Sequence, residues 1–135
     1  MSDRVFLDTN ILLYVYSDEE EKKRISKQIF QEQKCLTCIQ ALNEFCNVCL
    51  KKWKFSRKSV TEAIDQITKG CVVLPVSIKT MLYALTLHER YGYSYYDCVM
   101  LASALENGCT KLYTEDLAAG QTIENRLLIL NPFEG

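Results

Sequence analysis

The sequence predicts an α/β domain: a short parallel sheet covered by helices on both faces. Three observations predict it. Short, wholly apolar runs alternate along the chain with longer stretches of helical period. Runs such as Val5-Phe6-Leu7 and Cys71-Val72-Val73-Leu74 lack the polar alternation of a one-sided sheet, as strands buried on both faces do. The 135 residues hold no linker, repeat or biased segment, so residues 1–135 read as one domain.

Each element follows in order. Val5-Phe6-Leu7 is the first strand. A turn at Asp8 to Asn10 leads into an apolar helix from Ile11 to Tyr16. Glu19 to Gln33 is a helix whose first turn gathers Glu19, Glu20 and Glu21 at the positive end of its dipole. Cys35 to Cys38 is the second strand, and Ile39 to Lys52 the next helix. Ser56 caps a helix that runs to Lys69 and is stopped by Gly70. Cys71 to Leu74 is a strand closed by Pro75. Ser77 opens a helix that ends at Gly92, and Ser94 opens another that ends at Gly108. Leu112-Tyr113-Thr114 and Leu127 to Leu130 are the last two strands.

Composition narrows the function classes. Apolar residues make up 48% and charged residues 24%, which excludes a disordered or low-complexity chain. No apolar run reaches the roughly 18 residues of a spanning helix, so no membrane partner is expected. The start of the chain lacks the basic, apolar and small-residue regions of a secretory leader, so a cytoplasmic location is expected. Sixteen basic against seventeen acidic residues leave a net charge of −1, so any nucleic-acid contact must be local.

Seven cysteines, an odd number, read as reduced thiols in such a chain. Cys35 with Cys38 and Cys46 with Cys49 form two C-x2-C pairs, and four thiolates suit a tetrahedral zinc. Against this zinc-stabilised alternative, Cys35 and Cys38 point to opposite faces of a strand. Cys46 and Cys49 fall in a helical stripe with Ile39, Leu42, Leu50 and Trp53, where cysteine serves as a small buried hydrophobe.

Chemistry in a parallel sheet gathers beyond the C-terminal ends of its strands. Asp8 follows the first strand directly, with Thr9 and Asn10 beside it; helix capping is its plain structural reading. Asp116 follows Leu112-Tyr113-Thr114 by two residues, with Glu115 adjoining, and a turn is its plain reading. Asp97 stands in the first turn of Tyr95 to Leu105, YYDCVMLASAL, a helix apolar nearly all round. A capping box from Ser94 competes for it. Glu44 lies on the helix after the second strand between Ala41 and Val48, opposite the cysteine stripe; a partly exposed surface glutamate is its plain reading.

Taken together, four carboxylates fall near one edge of one sheet. Crowded carboxylates repel unless a cation joins them. Mg2+ or Mn2+ takes oxygen ligands, and an acidic cluster holding either suits phosphodiester hydrolysis. No P-loop or dinucleotide fingerprint is present. His88 is the sole histidine and has no partner sequence for a hydrolase triad.

The segments carrying these acids resemble one family. VFLDTNILLY is similar to the opening strand of PIN-domain proteins, ALNEF to the segment with their glutamate, YSYYDCVMLASALENGC to their aspartate helix, and KLYTEDLAAGQ to their strand ending in [ST]-x-D. The likeness runs in order over essentially the whole chain and is greatest to VapC-type toxin ribonucleases of bacterial toxin–antitoxin pairs. It implies a PIN-like fold and a Mg2+- or Mn2+-dependent ribonuclease. It makes Asp8, Glu44, Asp97 and Asp116 the metal-binding, catalytic quartet, with Asn10 and Thr114 as accessory polar positions. Asp8 and Asp97 are then the principal ligands, and Glu44 orients a water or holds a second metal. The resemblance further implies RNA as substrate, a cognate antitoxin and a homodimer. A non-catalytic interaction module of the same fold is the competing reading.

Lys51, Lys52, Lys54, Arg57 and Lys58, interleaved with Trp53 and Phe55, form a local basic patch suited to phosphate contact. Its plain reading is a solvated helix end with Trp53 tucked into the core. Tyr91, Tyr93, Tyr95 and Tyr96 cluster around the start of the Asp97 helix and are expected in core or dimer packing.

Overall fold

The computed structural model describes residues 3–134, so Met1 and Ser2, on which part of the expectation about a leader rests, lie outside the described residues. Its elements are β1 (Arg4–Leu7), α1 (Thr9–Val15), α2 (Glu20–Glu32), β2 (Lys34–Cys38), α3 (Ile39–Lys51) and α4 (Arg57–Gly70). β3 (Cys71–Leu74), α5 (Ile78–Tyr91), α6 (Tyr95–Glu106), β4 (Lys111–Tyr113), β5 (Thr122–Ile123) and β6 (Leu127–Leu130) complete the chain.

The strands form one sheet in the order β3-β2-β1-β4-β6-β5. The first five strands of that order are parallel. The sixth, β5, runs antiparallel to β6 and adds to the expected parallel sheet an edge strand that the sequence reading does not include. A two-residue strand leaves no periodic signal in sequence. It exists because the chain turns back after Ile123 through Glu124 and Asn125, both with positive φ.

The connections β1 to β2 and β2 to β3 step one way across the sheet; β3 to β4 steps back over two strands. Right-handed crossovers place α1 to α4 on one face and α5 and α6 on the other. Contacts agree, α1 packing on α2 and α3, α3 on α4, and α5 on α6. α3 and α6, the helices of Glu44 and Asp97, also touch.

Between the faces lie Phe6, Phe45, Leu101, Leu112, Ile123 and Leu127, all fully buried. Each such side chain contributes about 1.5–3 kcal/mol by leaving water. Cys98 through Leu105 of α6 are buried without a break, as its all-round apolar sequence requires. Among the described residues no helix is long and apolar enough to cross a membrane.

Three local expectations are corrected. α1 begins at Thr9, not after a turn, because the Asp8 side chain accepts from the Thr9 N–H and caps the helix directly. On α3 the buried face is Ala41, Leu42, Phe45 and Cys49, while Ile39 and Leu50 are exposed. The real face is turned by roughly 70° from the expected stripe at 100° per residue, because Phe45 outweighs the smaller cysteines in the core. Gly70 does not stop α4 with a left-handed turn. It is the last helical residue, and a Cβ there would stand 2.1 Å from Cε1 of Phe30, so it is a close-packing position.

The zinc alternative is not supported. Cys35 reaches the Ile29 and Gln33 carbonyls and neighbours Cys71 across the parallel pair β2/β3. Cys38 lies against the Met100 sulfur at 3.6 Å. Cys49 is buried and Cys46 half-buried on α3. Among the described residues no three cysteines gather as a metal site, and burial pushes the Cys49 thiol up to about 11. Ser77 and Thr80 form a reciprocal capping box at the start of α5, and Gly92 ends that helix at φ 77° as expected.

Candidate active site

β1 lies beside β2 on one side and β4 on the other, and the chain leaves it toward β2 but returns to it from β3 through α5 and α6. This is the topological switch point of the sheet, where a crevice opens at the strands' C-terminal ends. Leu7 pairs with Tyr113, which sets Asp8 opposite Thr114 just beyond both strands.

Asp8 is 5% exposed. Its Oδ1 accepts from the Thr9 N–H at 2.7 Å and its Oδ2 from the Thr114 hydroxyl at 2.8 Å. Burial pushes its carboxyl up to about 7; the bonds from Thr114 and Thr9 oppose this, and the charges of Asp97 and Asp116 add to it. The Thr9 hydroxyl donates to Glu44 Oε2 at 2.9 Å, so adjacent residues of α1 join Asp8 to the glutamate of α3. Glu44 is half-buried, and its carboxyl is raised first by burial and further by Asp97 and Asp116, against the Thr9 bond.

Asn10 Nδ2 donates to Asp116 Oδ2 at 2.9 Å and approaches the Thr114 hydroxyl at 3.3 Å. The Asp116 N–H donates to that same hydroxyl at 3.1 Å. Thr114 thus links the two strand-end aspartates, and both accessory positions expected from sequence, Asn10 and Thr114, hold acids of the cleft.

Asp97 stands in the first turn of α6. Ser94 caps that helix by accepting from the Asp97 N–H at 3.3 Å. The reciprocal half of the capping box does not form: among the described residues no donor engages the Asp97 carboxylate. Capping therefore uses Asp97's main chain and leaves its side chain to the cleft.

Asp8, Thr9, Asn10, Leu13, Glu44 and Asp116 line one cleft of about 360 Å3 with Asn47, Val48 and Asp97. All four predicted acids reach it from four separate segments. Among the described residues no group of three or more His, Cys, Asp or Glu side chains is gathered closely enough to hold a metal ion. The donor set is all oxygen, which suits Mg2+ or Mn2+, ions that keep waters in their shell. Two observations fit a cation here. Asp8 is buried with hydrogen bonds to both oxygens but only negative charges, Asp97 and Asp116, beside it, and Asn10 Oδ1 is buried without a hydrogen-bond partner.

Thr9, whose buried hydroxyl bridges to Glu44, was not singled out from sequence. Its signal was the D-T-N triplet, with a hydroxyl residue where a helix start needs only a good cap. Glu115 faces away from the cleft toward Tyr14 and Lys22. The tyrosines staple α5 and α6 to the segment after β4. Tyr91 donates to Glu124 Oε2 at 2.9 Å, and the Tyr93 hydroxyl accepts from the Ala118 N–H at 3.2 Å. Tyr96 remains exposed, edge-on to Tyr95. His88 contacts the Tyr93 carbonyl through Nδ1 at 2.5 Å, outside the cleft. Lys51, Lys52, Lys54, Arg57 and Lys58 are all exposed on the α3–α4 connection, with Trp53 half-buried against Phe55.

The family model of the PIN domain matches residues 5–122. The fold is similar to a toxin–antitoxin complex from Klebsiella pneumoniae, at TM-score 0.72 and 19% identity over 96% of this chain and 98% of that one. It is similar to VapBC-1 from nontypeable Haemophilus influenzae, at TM-score 0.68 and 18% identity over 97% and 99%. Mycobacterium tuberculosis VapC20, a sarcin–ricin-loop-cleaving toxin, aligns at TM-score 0.67 and 16% identity over 83% and 89%. Among curated proteins, none matches the sequence.

Proposed function

The chain belongs to the PIN-domain family, and from that premise we propose that it is a Mg2+- or Mn2+-dependent endoribonuclease, the toxin of a type II toxin–antitoxin pair. The observation that carries this reading is the convergence of Asp8, Glu44, Asp97 and Asp116 on one cleft at the switch point of the sheet. Similar folds in toxins and toxin–antitoxin complexes support it.

Asp8, Asp97 and Asp116 would hold the cation, with Glu44 beside it. When bound, the metal neutralises the scissile phosphate and makes a water acidic enough to attack it. The chain's residues supply the rest. The Thr9 N–H and Thr114 hydroxyl fix both oxygens of Asp8, so the anion is presented in one orientation. Asn10 holds Asp116 by its Oδ2. Glu44, steadied by Thr9 and raised by burial, orients the attacking water and receives its proton.

The test is end-mapping of total cellular RNA incubated with purified protein and Mn2+. Defined cuts made by the wild type and lost with EDTA support the reading. Cuts made equally by an Asp97→Asn variant assign the activity elsewhere, and a wild type that binds metal and RNA without cutting favours an interaction module.

RNA grip is assigned to the α3–α4 connection. Lys51 lies seven residues after Glu44, about two helical turns along the same face, so phosphates leaving the cleft meet Lys51, Lys52 and Lys54 first, with Arg57 and Lys58 at the start of α4. Replacing Lys51, Lys52 and Lys54 by alanine is expected to reduce the slope of log affinity against log salt by about 2, at roughly 0.7 per single-strand phosphate. An unchanged slope removes the patch from the interface.

A homodimer and a cognate antitoxin complete the proposal, in the cytoplasm. Ile78, Met81, Leu82 and Leu85 form an exposed apolar stripe on α5 at the i, i+3, i+4, i+7 spacing of a buried seam. Leu82→Glu is expected to turn a dimer into a monomer in sedimentation; a variant that stays dimeric moves the interface off α5.

A further inference from the structure

The segment after β4 places Glu115 and Asp116 side by side, yet the two carboxylates part company. Asp116 faces the cleft. Glu115 is instead held one turn further along α1, where both its oxygens are taken. The Tyr14 hydroxyl donates to Oε1, and Lys22 Nζ donates to Oε2 at 3.0 Å. The same ammonium lies 3.2 Å from the Tyr14 oxygen, 4.8 Å from the Tyr14 ring centre and 5.4 Å from that of Phe133. Tyr14 and Phe133 stand edge to face at 5.1 Å. Lys22 is thus held by one carboxylate and two aromatic faces, an arrangement stronger than an exposed ion pair.

α1 grips this segment at two points one turn apart. Asn10 binds Asp116 and Tyr14, four residues on, binds Glu115. The β4–β5 segment is therefore pinned through both acids, and α2 reaches it through Lys22. We propose that Lys22 is a positioning residue, which locks Glu115 against Tyr14 and so fixes the rotation of the adjoining residue that presents Asp116 to the cleft. Remove the ammonium, and Glu115 becomes a second uncompensated charge beside Asp116, free to leave Tyr14. The effect on cleavage rests on the ribonuclease reading above; the effect on the segment does not.

The experiment uses the full chain in two states. In metal-free protein, amide exchange is followed at Asp116, whose N–H is bonded to Thr114. Lys22→Met keeps the apolar stem and loses the charge; exchange at Asp116 is expected to accelerate about 10-fold, the Mg2+ concentration for half-maximal thermal stabilisation to rise about 10-fold, and kcat for RNA to fall about 10-fold with KM unchanged, the scale of a lost supporting contact. Lys22→Arg is expected to retain all three, and the charge-swapped pair Lys22→Glu with Glu115→Lys to recover what either single change loses. Unchanged exchange and unchanged Mg2+ midpoint in Lys22→Met overturn the proposal, as does an arginine variant no better than methionine. A wild type that cuts no RNA defeats the ribonuclease reading, while the exchange measurement still decides the role of Lys22.

Discussion

Asp97→Asn is expected to lower kcat for RNA cleavage by on the order of 10^3-fold, the scale of one lost transition-state electrostatic contact or more. Its metal-free melting temperature should stay within about 2 °C of wild type, less than 1 kcal/mol at this size. The structure separates these two effects. Ser94 caps α6 through the Asp97 main chain, and asparagine keeps that N–H. Among the described residues no donor depends on the Asp97 carboxylate. Asparagine has nearly the same shape, so packing in the first turn is preserved. One charge is lost from the positive end of a helix, a cost of about 0.3–1 kcal/mol. Relief of repulsion on Asp8 and Glu44 offsets it, since the Asp97 charge raises both. Single-turnover kinetics with the mapped RNA, beside thermal melts in EDTA, would read both quantities. Cleavage at the wild-type rate would remove Asp97 from the site.

Stability of the metal-free protein is expected to fall as pH rises from about 4 to about 8, the reverse of ordinary carboxylate behaviour. The cause is Asp8. Burial lifts its carboxyl to about 7 from the usual 3.8, so the folded chain holds a proton that the unfolded chain has released. Stability rises with pH only where the unfolded state binds more protons; here the folded state binds more. The stabilisation is fully present below the unfolded value near 4 and is lost as pH rises through about 7. At 1.36 kcal/mol per unit the shift corresponds to about 4 kcal/mol as an upper bound. Glu44 is raised too and acts in the same direction.

On the proposed metal site, Mg2+ would bind the ionised acids, so its stabilisation should grow over the same pH range, reaching about 2.7 kcal/mol at a hundredfold excess over Kd. Asp8→Asn carries no charge to bury. It should flatten the pH slope in EDTA and lose most of the Mg2+ effect. Urea melts from pH 4.5 to 8.5, with EDTA or Mg2+, check all of this. A wild-type slope that survives in Asp8→Asn would place the burden on another group.

Much of this was legible in residue order because local rules and the global fold agree. Val5-Phe6-Leu7 is too short and too apolar for anything but a strand covered on both sides, and the residue after it must then stand at a strand end. That argument alone brings Asp8 to the crevice, and the same logic brings Thr114 and Asp116. An aspartate opening the apolar run of α6 called for a partner, with helix capping as the competing reading, and the structure places it at the cleft while Ser94 caps through its main chain. Side-chain direction on α3 was harder. Its cysteine pairs suggested one face, and the core chose another because Phe45 fills more volume than Cys46 or Ile39.

By itself, then, the sequence determined the α/β class and the order of all elements but β5, which follow from hydrophobic period, and it offered Asp8 and Asp116 as strand-end candidates; Glu44 and Asp97 joined them through the family resemblance. Only the tertiary structure decided which oxygens are occupied. The bridge from Thr9 to Glu44 spans 35 positions, and the contact from Lys22 to Glu115 spans 93. Glu115 and Asp116 are adjacent and chemically alike, yet one is tied to a lysine on α2 and the other stands in the cleft. Hydrogen bonds and charges act over a few ångströms, and which groups lie that close is settled only when strands pair and helices cross back over them.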